Sequence, residues 1–109
     1  MNIEHRRENG FLIVSPQQDI DLEASGEFER VVLRLAETGL EKVILDCTVV
    51  AYIDSSGIGA IVRIHRYLKE RGGRLIISGG NEHLLKVFKL INFPKYFRLT
   101  ATIEEAMAD

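Results

Sequence analysis

The sequence contains a single cysteine, and its apolar runs are all short. A lone thiol, Cys47, cannot close an intrachain disulfide or supply a cysteine-based zinc cluster. Because Cys47 follows a hydrophobic run, we expect a small buried side chain rather than a reactive thiol. A membrane-spanning helix needs about 18 or more apolar residues in succession, and none occurs. Met1 to Arg7 form no hydrophobic signal segment, so we expect a cytoplasmic protein without membrane insertion.

The chain also lacks an excess of positive charge. It has 14 lysines and arginines against 16 aspartates and glutamates, a net charge of −2. Because phosphate contacts need a basic face, nucleic acid is not expected as the main partner. Two groups of possible metal ligands are better explained as solvated or packed histidines and as acids at a helix start. These residues are His5, His65 and His83, and Asp19, Asp21 and Glu23.

The composition is that of one soluble globular domain. Hydrophobic residues make up 46% and charged residues 28% of the sequence, which fits a chain that buries a core. No linker, internal repeat or low-complexity segment interrupts it. Residues 1–109 are therefore interpreted as a single domain.

The N-terminal segment is typical of a β-hairpin. Two short strands, Ile3 to Arg7 and Phe11 to Ser15, flank Glu8-Asn9-Gly10, and Asn-Gly strongly favours a hairpin turn. Pro16 has no N–H group to donate, so it ends the pairing.

The rest of the chain alternates between helices and strands. Apolar runs predict buried strands at Lys42 to Asp46 and Arg74 to Ser78, and a short strand is predicted around Phe97 to Leu99. Each helix begins at a capping residue. These caps are Asp21, Asp54 or Ser55, Asn81 and Thr102. The order ββαβαβαβα predicts an α/β fold with a mixed sheet of four to five strands and about four helices.

Apolar periodicity assigns a core side to the three longer helices. The first is expected to stop near Gly39, and the second to run from Gly57 to Arg71. The predicted core residues are Ala24, Phe28, Val31, Val32 and Leu35, then Ile58, Ile61, Val62, His65 and Leu68, then Leu84, Val87, Phe88 and Ile91. Arg63, Arg66 and Lys69 form a basic stripe, interpreted as a solvated helix face with partner contact as the alternative.

No complete catalytic motif is present. A nucleophile elbow needs G-x-S-x-G, and the first glycine is missing before Ser55. The nucleotide-binding loop G-x-x-x-x-G-K-[ST] is absent, and Gly57-Ile58-Gly59 lacks the third glycine of a dinucleotide fingerprint. Asp46 would suit a phospho-receiver, but the acidic pair and lysine of that class are not evident. The chain is interpreted as non-enzymatic, without cofactor, metal or catalytic residues; a hydrolase using Ser55 is the enzymatic alternative.

The most informative segment is Asp54-Ser55-Ser56-Gly57-Ile58-Gly59, at the start of the second helix. A helix N-terminus offers free N–H groups, and glycines let another chain approach closely. A cap needs only one polar side chain, so capping alone does not explain the second serine or the two glycines. The segment is predicted to be a place where a phosphate can be attached and read by a partner.

Together with its surroundings, this segment resembles the STAS domain of anti-sigma factor antagonists. The similarity rests on Lys42–Asp46, on the D-S-S-G-I-G segment, on Gly72–Ile77, and on Val87-Phe88 and Phe93. It covers nearly the whole chain. The resemblance implies a STAS fold and a protein-interaction function.

The resemblance also implies a switch. In this family the second serine of the motif, here Ser56, is phosphorylated by an anti-sigma factor with serine kinase activity, and a serine phosphatase removes the phosphate. The implied partner-binding residues are Asp19, Asp54, Ser55, Ser56, Gly57, Ile58 and Gly59. Binding of the anti-sigma factor by the unphosphorylated form would free a sigma factor for transcription. The alternative is a STAS subunit of a lipid-transport or stress-signalling scaffold complex.

Overall fold

The computed structural model describes residues 1–37 and 42–108 of the chain. Five strands form one sheet: β1 (Ile3–Glu8), β2 (Phe11–Pro16), β3 (Lys42–Asp46), β4 (Arg74–Ser78) and β5 (Arg98–Thr100). Within the described residues there are four α-helices: α1 (Leu22–Ala36), α2 (Ser55–Glu70), α3 (Glu82–Leu90) and α4 (Ile103–Met107). A 3-10 turn spans Phe93–Lys95. The predicted α/β class and element order are confirmed.

The strands lie in the order β1-β2-β3-β4-β5. The β1–β2 pair is antiparallel, and its turn places both Asn9 (φ 52°) and Gly10 (φ 82°) in the left-handed region, as an Asn-Gly hairpin requires. Each later pair is parallel and is connected through a helix. The carboxyl ends of β2, β3 and β4 therefore lie at the same edge of the sheet, where ligands and partners of such folds commonly bind.

The sheet has a core on each face because side chains alternate along the strands. On one face, Leu12, Val43 and Leu75 belong to the larger core, which also contains buried residues of α1, α2 and α3. On the other face, Ile44 and Ile76 pack in a smaller core that includes Ala106 of α4. Among the described helices, none has the length and apolar character to cross a bilayer.

The helix stripes predicted from periodicity are partly wrong. The buried face of α2 consists of Gly57, Ala60, Ile61, Ile64 and Leu68. The predicted residues Ile58, Val62 and His65 are only partly buried, because they lie one step around the helix, beside a surface groove.

The other helices differ from prediction at their edges and ends. Ile91 was predicted in the core but is 39% exposed, because it is the cap that follows the last residue of α3 and the chain then turns through Asn92 at φ 61°. Three residues predicted in the core are half-buried: Val31, Leu35 and Val87. The predicted stop at Gly39 lies outside the described residues.

A backbone contact joins the segment before α1 to the segment before α2. Ile20 and Ile53 form an isolated parallel bridge. The N–H of Ile20 donates to the carbonyl of Tyr52 at 3.1 Å, and the N–H of Asp54 donates to the carbonyl of Ile20 at 3.2 Å. Both isoleucines are buried, so apolar packing reinforces these hydrogen bonds.

Gly57 lies directly against this contact. A Cβ atom at Gly57 would be 2.5 Å from the carbonyl oxygen of Ile20 and 2.6 Å from Cγ2 of Ile53. Both distances are far inside van der Waals contact. The first turn of α2 can therefore approach Ile20 only because residue 57 has no side chain.

We expect Gly57→Ala to destabilise the protein by about 1–3 kcal/mol, because the added methyl group must displace backbone. Gly59→Ala is the matched control, since its Cβ meets only the flexible end of Arg63, at 3.3 Å. Gly59→Ala should be neutral or stabilising by up to about 1 kcal/mol, since alanine favours a helix. Urea unfolding followed by circular dichroism measures both changes, and equal free energies of unfolding for the two variants would contradict the close-approach explanation.

Candidate functional site at the start of helix α2

Asp54 is the residue that caps α2. Its backbone is extended (φ −90°, ψ −175°), and its carboxylate accepts hydrogen bonds from the backbone N–H groups of Ser56 at 2.9 Å and Gly57 at 3.0 Å. The hydroxyl of Ser56 donates to the same carboxylate oxygen. The sequence left Asp54 and Ser55 as alternative caps, and the structure selects Asp54.

These bonds hold Asp54 in its charged form. The Ser56 hydroxyl and the Gly57 N–H lower the pKa of the Asp54 carboxyl below its ordinary value, and the N–H groups of Ser56 and Leu22 act in the same direction. Leu22 is the first residue of α1. The N-termini of α1 and α2 therefore both act on this carboxylate, and such helix ends favour negative charge.

The two serines differ in exposure and bonding. Ser55, the first residue of α2, is exposed, whereas Ser56 is partly buried. The Ser56 hydroxyl is thus neither in the core nor free in solvent, because Asp54 orients it at the protein surface. A reagent that reaches Ser56 must compete with this one hydrogen bond.

Asp19 is bonded within the site. Its carboxylate accepts from the N–H groups of Ala51 at 2.9 Å and Tyr52 at 3.0 Å. It thereby fixes the loop that leads into Asp54. The structure therefore brings Asp19 next to the predicted segment, where its carboxylate supports the loop before α2. Asp19 itself remains partly exposed.

The remaining predicted residues differ in burial. Gly57 is buried against Ile20, so its part in the site is to permit that contact. Ile58 and Gly59 are partly exposed on the first turn of α2. Ile58 also lines one end of the groove beside α2.

Sequence reasoning missed an apolar fringe around the site. Leu22 is 76% exposed at the start of α1, and Val49 (52%) and Tyr52 (48%) are exposed in the loop between β3 and α2. Neighbouring Val50 is only 1% exposed. Because apolar residues in this loop alternate between core and surface without a helix or strand period, the sequence offers no signal that separates them.

Other candidate residues have structural partners. Asp46 accepts from the Ser15 hydroxyl at 2.9 Å and from the Thr48 N–H at 3.1 Å. Asp21 caps α1 by accepting from the Ala24 N–H at 3.0 Å, and Glu23 lies in the first turn of that helix. The helix-start interpretation is confirmed for these two acids and is wrong for Asp19, which binds the loop before α2 instead. In the part of the chain that the structure describes, no cluster of three or more side chains could hold a metal ion.

Cys47 is the buried side chain that the sequence predicted. It is fully buried in the larger core. Burial, with a smaller effect from the nearby Asp46 charge, raises the pKa of the thiol to about 12. A neutral buried thiol is a poor nucleophile, so Cys47 is a packing residue.

Known proteins of similar sequence or fold match almost the whole chain. The anti-sigma-B factor antagonist of Bacillus subtilis is 24% identical over 104 residues, which cover 95% of this chain and 94% of that protein. The crystal structure of a candidate anti-sigma factor antagonist from Thermotoga maritima superposes with a TM-score of 0.90 at 25% identity, covering 97% of this chain and 92% of that one.

A third protein shares the fold at lower identity. The Bacillus cell-fate determinant SpoIIAA, solved in its phosphorylated form, matches with a TM-score of 0.74 at 20% identity, covering 98% of this chain and 97% of its own. The STAS domain, as a family, matches residues 2–106. With that match across almost its entire length, and with the sheet order and capped α2 start described above, the chain belongs to the STAS domain family.

Proposed function

We propose that this protein is an anti-sigma factor antagonist that is switched by phosphorylation of Ser56. Its unphosphorylated form binds an anti-sigma factor with serine kinase activity in the cytoplasm, and this binding releases a sigma factor for transcription. The observation that carries the proposal is that the Ser56 hydroxyl lies outside the core at the capped start of α2, on a partly exposed residue, and is oriented by Asp54. The names of its relatives support the partner class.

The proposed docking surface combines polar and apolar groups. Its polar part consists of Asp19, Asp54, Ser55 and Ser56, and its apolar part is Ile58 with the fringe of Leu22, Val49 and Tyr52. Gly57 and Gly59 have no side chains, so a partner can approach the backbone at the start of α2 closely. A partner that covers this surface would bury the Ser56 hydroxyl beside the carboxylate of Asp54.

Phosphorylation acts on this surface through charge. A phosphoserine carries about −1.5 to −2 charges at neutral pH. In the free protein the two helix N-termini offset part of that charge, and solvent covers the rest. Under a docked partner the phosphate must lose its water next to the charged Asp54, and both desolvation and repulsion oppose the complex.

The fold itself should hardly respond. Phosphorylation removes the single hydrogen bond from the Ser56 hydroxyl to Asp54. The backbone N–H groups of Ser56 and Gly57 still donate to that carboxylate, and the contact of Gly57 with Ile20 does not involve the hydroxyl. A serine phosphatase would reset the switch by hydrolysing an accessible phosphate ester.

The assignment of the phosphorylated serine can be tested with three forms of the protein. With an anti-sigma factor kinase recovered by co-purification, and with ATP, wild type and Ser55→Ala should each gain one phosphate. Ser56→Ala should gain none, because it lacks the acceptor hydroxyl. Intact mass spectrometry reads the result, with Ser55→Ala as the matched control because it removes the adjacent, more exposed hydroxyl. Phosphate uptake by Ser56→Ala equal to that of wild type would overturn the assignment.

The role of Asp54 in the switch can be tested separately. Asparagine also caps helices well, so Asp54→Asn keeps the fold while removing the charge beside the phosphate. Phosphorylation should weaken partner binding by at least about tenfold in wild type, and by several-fold less in Asp54→Asn. Isothermal titration calorimetry measures the dissociation constants of the phosphorylated and unphosphorylated forms of each protein. Glu104→Gln, an exposed residue of α4 on the opposite face of the sheet, is the charge-matched control and should keep the wild-type ratio.

A further inference from the structure

A groove runs along α2 away from the Ser56 turn. Its volume is about 740 Å³, within the range of sites that enclose small organic ligands. One wall is α2 and the other is the segment between α3 and β5. Its lining residues are Ile58, Val62, His65, Arg66, Lys69 and Glu70, with Ile91, Phe93, Tyr96 and Phe97 facing them.

The interior of the groove is mainly apolar. Ile58 and Val62 supply the α2 wall, and both remain partly exposed. Across from them, Phe93 and Phe97 pack edge to face with ring centroids 4.6 Å apart, and Ile91 is 39% exposed. Phe93 and Phe97 are only 3% and 4% exposed, so they back the groove from the core. Ile58, Val62, Ile91 and Tyr96 supply the accessible surface, which suits a hydrocarbon chain.

His65 places a polar atom inside this apolar surface. Its ring packs edge to face on Phe97 with centroids 4.7 Å apart, and its Nδ1 is buried without a hydrogen-bond partner among the described residues. Burial, then the charges of Lys69 and Arg66, lower the pKa of His65, so the ring is neutral at physiological pH. A buried N–H without a partner is costlier than an unused acceptor. This cost favours the tautomer that carries the proton on Nε2.

The rim of the groove is positively charged. Arg66 and Lys69 flank His65 on α2, are exposed, and form no ion pair within residues 1–37 and 42–108. The one acid on the rim, Glu70, lies 4.0 Å from Arg71. A ligand with a single anionic group would thus meet two cations beside the neutral His65 ring in an otherwise mainly apolar groove.

From this arrangement we propose that the groove binds an acyl carboxylate: a hydrocarbon chain on Ile58, Val62, Ile91 and Tyr96, with its carboxylate beside Arg66, Lys69 and His65. The apolar lining accounts for the chain, and the basic rim accounts for the sign of the headgroup. The site shares Ile58 with the proposed docking surface but does not include the Ser56 hydroxyl, and the proposal does not rest on the phosphorylation switch.

Decanoate is the probe. When decanoate is titrated into the protein below the micelle concentration of decanoate, it should bind saturably. The amide chemical-shift changes should be concentrated at residues 58–70 and 91–97. Octanoate should bind roughly tenfold more weakly, because it buries two fewer methylene groups. Decyltrimethylammonium, which has an alkyl chain one carbon longer and the opposite charge, should bind at least about tenfold more weakly than decanoate.

Paired variants locate the site. Ile91→Asp places a carboxylate on the groove wall and should abolish binding, whereas Leu90→Asp makes the same change at the adjacent residue, which is 82% exposed and outside the groove, and should bind as wild type. Arg66→Glu should weaken binding about tenfold, and Lys86→Glu, an exposed residue of α3 outside the groove, should not. Since Arg66 and Lys86 are both exposed, this second pair stays informative if Ile91→Asp fails to fold.

Three results would overturn the proposal. One is the absence of saturable decanoate binding to wild type. Another is equal affinity for decanoate and decyltrimethylammonium, which would remove the case for an acidic headgroup. The third is equal loss of binding in Leu90→Asp and Ile91→Asp, or shift changes centred on Leu90, which would place the ligand on the exposed end of α3 instead.

Discussion

The site depends on the contact between the backbone at Ile20 and the first turn of α2. The carbonyl of Ile20 accepts a hydrogen bond from Asp54 and lies where any side chain at residue 57 would be. This one contact sets the distance between the starts of α1 and α2. The orientation of the Asp54 carboxylate follows from it, and through Asp54 so does the orientation of the Ser56 hydroxyl. Asp19 stabilises the same junction from the other side of the loop.

This arrangement separates most of the stability from recognition. Ile20, Ile53 and Gly57 hold the junction together from the interior, and the serine hydroxyls lie outside that contact. Asp19 and Asp54 bind the junction backbone and also belong to the proposed docking surface. A change of charge at a serine hydroxyl therefore alters what can dock without altering the interior contact that holds the junction. The proposed switch relies on this separation at a helix start, a place where many proteins have only a structural cap.

Much of the fold could be predicted from the sequence because local signals agree with the tertiary structure. The strands β3 and β4 are buried at their centres, so their apolar runs give the observed bounds. The caps Asp21, Asn81 and Thr102 were predicted because a side-chain oxygen just before a helix commonly accepts a hydrogen bond from a backbone N–H of the first turn. The prediction failed for Ile58, Val62 and His65, since a helix that packs on a sheet and also borders a groove has an apolar face wider than its buried one. The roles of Asp19 and Gly57 could not be derived from the sequence at all, because each depends on a contact with a residue more than 30 positions away.

The complete burial of Cys47 has a practical consequence. In the native protein the thiol is protonated and inaccessible, so oxidants and thiol-alkylating reagents should leave Cys47 unmodified while the protein stays folded. The thiol becomes reactive only when the larger core opens. A single natural cysteine therefore turns the rate of covalent labelling into a measure of how often the interior is exposed to solvent.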